Sequence, residues 1–137
     1  MPVIESLIRS EADGTISFGN YKLETKSKLQ DFEHAGDLYK IKTYCEITKL
    51  ERNGSFVYES VPGTAVERFS VNHDGVDFTV ESDKDAQITV QLEDDAEYEV
   101  YVDDVSVGGM KTNMSGKLVV SVELSEGAAS HVRIVKR

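Results

Sequence analysis

The residues able to act as catalysts or ligands are few and widely spaced. His34, His73 and His131 stand far apart, with no His-x-His or HExxH spacing to bring two imidazoles onto one zinc ion. The acidic run "ESDKDAQ", Glu81 to Gln87, opens like a calcium loop but lacks the Asp-Gly and the distal Glu that complete one. "GGMKTNMSGKL" contains a Gly-Lys pair. Yet Gly108 and Gly109 lie eight and seven residues before Gly116, where a phosphate loop needs five, and Leu118 replaces the Ser or Thr. Glycoside hydrolysis needs two carboxylates facing one cleft. Asp94-Asp95 and Asp103-Asp104 are adjacent in sequence and read as turns instead. No metal, cofactor or catalytic residue is expected.

The single cysteine, Cys45, cannot form an internal bridge. In "YKIKTYCEITKL" it falls in phase with Tyr39, Ile41, Thr43 and Ile47, so it is expected to be a buried thiol acting as a small hydrophobe.

Charge narrows the partners. The chain of 137 residues carries a formal net charge of −10. Residues 1–62 hold eight basic against ten acidic side chains, and residues 63–137 seven against fifteen. Nucleic acids and anionic lipid surfaces need cationic groups to displace counterions, so both are excluded as expected partners. No apolar run approaches the roughly 20 residues of a membrane span. The amino-terminal "MPVIESLIRSE" has an acid at Glu5 and no long apolar core, so it does not read as a secretion signal. A cytoplasmic protein is expected.

The elements that must position any site are nearly all strands. "TISF" and "YKLET" flank Gly19-Asn20, "LYKIKTYCEITKL" is long enough for one bent strand or two, and "SFVYESV" follows the hairpin cue Asn53-Gly54. "ERFSV" and "VDFTVES" flank "NHDG"; "QITVQL", "EYEVYVD", "VSV", "GKLVVSVEL" and "HVRIVK" complete the set. Apolar residues two apart, such as Ile88, Val90 and Leu92, mean one buried and one wet face. The expected class is all-β, an antiparallel β-sandwich. Helical spacing is confined to Ile4, Leu7 and Ile8 and to "KSKLQDFEHAGD", Lys26 to Asp37, where a short turn would point Leu29 and Phe32 inward. Pro62-Gly63 marks a weak seam between a β-rich module, 1–62, and a module of about seven short strands, 63–137, spaced as in an immunoglobulin-like sandwich. The two modules can also share a single core.

The stretches "DGTISFGNYKL", "YKIKTYCEITKLERNGSFVYESVPGTAV" and "YVDDVSVGGMKTNMSGKL" together resemble a group of small acidic proteins of clostridial-type bacteria that carry the label endosialidase. The resemblance implies sialidase action, which in such enzymes uses an arginine triad, a tyrosine nucleophile and Ser-x-Asp-x-Gly-x-Thr boxes. The chain has five arginines, Arg9, Arg52, Arg68, Arg133 and Arg137, and its nearest box, "SEADGT", has the wrong spacing. The expected function is therefore a non-catalytic structural or interaction protein that self-associates or docks to a protein partner. An edge strand around "VSV" would be available for pairing. The alternative is a carbohydrate-binding or glycan-processing accessory domain. With no Trp, its stacking platforms would be Tyr58, which shares a face with Phe56, and Tyr101, which opposes Tyr98, Val100 and Val102.

Overall fold

The computed structural model describes residues 3–137; the first two positions of the amino-terminal stretch lie outside them. Among these residues there are strands and no helix, and none of them forms a helix long and apolar enough to cross a membrane. One sheet runs in the order β1 (Ile8–Ser10), β2 (Ile16–Phe18), β7 (Ala65–Asn72), β8 (Gly75–Glu81), β13 (Ser130–Lys136), β10 (Glu97–Val102) and β11 (Val105–Lys111). The second runs β12 (Lys117–Val122), β9 (Ala86–Gln91), β6 (Ser55–Val61), β5 (Ile47–Arg52), β4 (Asp37–Tyr44) and β3 (Ser27–His34). Both sheets are antiparallel, and they pack as a sandwich.

Alternation explains the packing. Ile88 and Val90 of β9, Leu118 and Val120 of β12, Val76 and Phe78 of β8, and Val132 and Ile134 of β13 all turn into the core. Phe18, Tyr58, Phe69 and Phe78 form its aromatic centre. Tyr58 sits edge-on to Phe18 at 5.2 Å and to Phe78 at 5.7 Å between ring centroids, the arrangement ring quadrupoles favour.

Turn chemistry fixes the hairpin registers. Asn53 and Gly54 both take positive φ, 51° and 83°, joining β5 to β6. Asp103 and Asp104 do the same at 52° and 68° between β10 and β11, the turn role their adjacency suggests.

The two modules are interleaved. β2 pairs with β7 in one sheet and β6 with β9 in the other. A single apolar cluster takes Phe18, Ile41 and Leu50 from before Pro62 and Val66, Phe78 and Ile134 from after it. Residues 63–137 supply seven strands, but these divide five and two between the sheets, where an immunoglobulin constant domain divides four and three.

The segment around Pro62 is a corner of the core. The Val61-Pro62 peptide is cis. Thr64 Oγ1 meets both Tyr58 Oη and Ser60 Oγ at 2.8 Å, while Thr48 Oγ1 donates to the Thr64 carbonyl at 2.9 Å and meets Thr43 Oγ1 at 2.8 Å. Asn20 N–H donates to Thr43 Oγ1, and Ser82 Oγ donates to the Gly63 carbonyl. A Cβ on Gly63 would run into the Tyr44 carbonyl oxygen.

Three local expectations are corrected. Lys26 to Asp37 is no helical turn, because Ser27–His34 pairs with β4; Leu29 faces solvent, while Phe32 packs against the core. Ile4, Leu7 and Ile8 form no helix either: Leu7 has φ 72°, and Ile8 begins β1. "YKLET" is loop, since after β2 the chain leaves one sheet for the other and no hairpin forms at Gly19-Asn20.

Candidate functional site

Tyr58 is not a surface aromatic. A bulge in β6 opposite Leu50 and Glu51 shifts the alternation, so Tyr58 turns inward and is 0% exposed. Burial pushes its phenol above the usual tyrosine range, partly offset by the Thr64 and Ser60 hydroxyls. Tyr101 is half-buried, opposite Arg133 on β13, and that guanidinium lies 4.3 Å from the ring centroid. One face of the ring is thus already taken by a cation.

Cys45 is exposed, contrary to the phase argument. Tyr44 pairs with Ile47, so Cys45 and Glu46 are the two residues of a tight turn and alternation does not carry through them.

The histidines and acids mostly stitch strands and loops. His131 meets Asp77 Oδ1 at 2.8 Å across the β13–β8 pair. Asp85 accepts from Leu124 N–H, and Glu81 accepts from Tyr21 Oη and Gly127 N–H, which commits two of the three "ESDKDAQ" acids to loop anchoring. Among the described residues no three His, Cys, Asp or Glu side chains gather as a metal-ligand set.

Ser10 Oγ and His34 Nδ1 are 2.7 Å apart, the one arrangement among the described residues that resembles a nucleophile and its base. The second ring nitrogen lies 3.1 Å from the Gly14 carbonyl. A neutral carbonyl cannot stabilise an imidazolium as a carboxylate does. The pair ties the β1–β2 hairpin to β3, an edge strand of one sheet to an edge strand of the other.

The outer face of the second sheet holds an array the sequence reading missed. Lys28 stands directly opposite Lys42, and Lys42 directly opposite Lys49, a ladder across β3, β4 and β5 that ends at Glu59 on β6. Lys40 lies one step along β4, opposite Glu51. Lys49 is 3.8 Å from Glu51, whereas Lys28, Lys40 and Lys42 make no ion pair among the described residues. Partial burial, with the charges of Lys26, Lys49 and Lys28, holds the Lys42 ammonium below the usual lysine range. Lys28, Lys40, Lys42, Lys49 and Glu51 line a cleft of about 80 Å³. The available signal was the alternation of Lys40 and Lys42 in "YKIKTY", out of phase with Tyr39 and Ile41.

The sandwich has four strand edges, and they differ. β1 has three residues. β3 is bulged between Leu29 and Phe32 and carries Lys28. β11 lies at an edge, where "VSV" was expected, with Val105 64% and Val107 51% exposed, but a bulge after Val100 and Gly108 at φ 117° interrupt it. β12 pairs with β9 over six residues without a break. Lys117 N–H donates to Asn113 Oδ1, and its carbonyl accepts from Asn113 N–H, so both groups point away from β9. Antiparallel alternation then turns the backbone groups of Val119 and Ser121 outward as well. Val119 is 46% exposed, and beside it Val61, Gln87 and Ser121 line a hollow of about 400 Å³.

No family model, curated protein or solved structure matches this chain.

Proposed function

We propose that this chain is a non-catalytic, cytoplasmic interaction protein that self-associates by pairing β12 with β12 of a second copy. The observation carrying this reading is the edge of β12, which pairs with β9 without a break and turns the backbone groups of Val119 and Ser121 outward, those of Lys117 being held by Asn113. An antiparallel edge is self-complementary about a two-fold axis, so one strand supplies both sides of the new ladder. The other three edges carry devices that discourage such pairing: shortness in β1 and bulges in β3 and β11. The glycan-binding reading keeps one platform, Tyr101, and that ring is stacked by Arg133.

Sedimentation velocity on the full chain at high micromolar concentration tests the proposal. A dimer is expected, and Val119→Asp, which sets like charges near one another across the new ladder, should weaken it at least about tenfold. A wild-type monomer, or a dimer untouched by Val119→Asp in a variant with native circular dichroism, would overturn edge pairing.

A further inference from the structure

We propose that the lysine ladder is a binding site for a tetrahedral dianion, a phosphate or sulfate group seated among Lys28, Lys40, Lys42 and Lys49. Lys28, Lys42 and Lys49 are direct cross-strand neighbours in one row, an arrangement that repels itself. The chain has 25 acidic residues, yet this row meets only two among the described residues, Glu59 at its far end and Glu51, 3.8 Å from Lys49 and on the rim of the same cleft, against the four lysines that line it. A dianion in the middle converts the repulsion into attraction.

Size and side-chain type narrow the ligand. The cleft of about 80 Å³ is a few times the ~30 Å³ share of one water and far below the ~300 Å³ of a small-molecule pocket. It admits one compact group. Its donors are all lysines, point charges with three rotatable N–H bonds each, where planar carboxylates are better matched by the arginine fork. Long polyanions fit poorly. Apart from Lys26, Lys28, Lys40, Lys42 and Lys49 the chain carries −15, its net −10 less these five positive charges, so an extended polymer would run onto repulsive surface. A compact group lies within the ~8 Å screening length of the ladder itself. The site occupies β3 to β5, away from the β12 edge, and so stands or falls independently of self-association.

The test is a ¹H–¹⁵N NMR titration of the full chain with inorganic phosphate, and in a second arm glucose 6-phosphate, at ionic strength held constant with sodium chloride. Saturable shifts at Lys28, Lys42 and Lys49 are expected. Lys42→Gln/Lys49→Gln should weaken phosphate at least about tenfold, while Lys111→Gln leaves it unchanged. Tighter binding of the ester would assign the group to a larger molecule, and equal binding to the free ion; both uphold the site. Shifts reproduced by chloride, or phosphate affinity retained in the double variant, would overturn it.

Discussion

The second sheet meets two different environments. In the corner at Thr64, the hydroxyls of Thr43, Thr48, Tyr58, Ser60 and Thr64 satisfy one another, and among the described residues no buried side-chain nitrogen or oxygen lacks a hydrogen-bond partner. On the outer face β4 and β5, with the neighbouring β3, set three lysines in a row, and β12 turns the backbone groups of Val119 and Ser121 away from β9. A satisfied polar network specifies the fold, because each member costs free energy if its partner is lost. Solvated like charges in a row and the outward backbone groups of an edge strand add no comparable stability to the monomer.

Substitutions on the two sides should differ in sign as well as size. Gly63→Ala drives a methyl group into the Tyr44 carbonyl and should cost about 3 kcal/mol or more by chemical denaturation. Thr64→Val keeps the shape but strands the Tyr58 and Ser60 hydroxyls, for a loss of about 2 kcal/mol. Tyr21 borders the corner through Glu81. Its burial and the Glu81 charge push its phenol up to about 12, from 10.0 unperturbed. The folded state therefore holds this proton more tightly. That stabilisation is complete below pH ~10 and lost as pH rises to about 12, and Tyr21→Phe should flatten this part of the stability curve. Lys42→Gln relieves repulsion and should raise stability by about 0.5 kcal/mol in a chloride buffer without phosphate or sulfate. A loss there, comparable to that of Thr64→Val, would erase the distinction between the two regions.

The all-β class and most strands were legible because alternation and Asn-Gly or Asp-Asp turns act locally. The corner was not, since Pro62-Gly63 reads as a turn at a weak seam until Thr48 and Tyr58 are brought to Thr64 from other strands. Two misreadings hid the ladder. Treating Cys45 as a strand residue concealed the Cys45-Glu46 turn, and only that turn makes Lys42 and Lys49 neighbours. Reading Lys26 to Asp37 as a possible helical turn likewise kept Lys28 away from Lys42. Tyr58 was misplaced by a bulge, which no period-2 pattern announces.

Hydrogen exchange of β12 as a function of protein concentration tests the proposed association most directly. If β12 pairs with its own copy, the amides of Val119 and Ser121 should be protected at high micromolar concentration and exchange freely on dilution, with β11 unchanged. Exchange at Val119 and Ser121 that is fast at every concentration, or concentration-dependent protection in β11 instead, would contradict it.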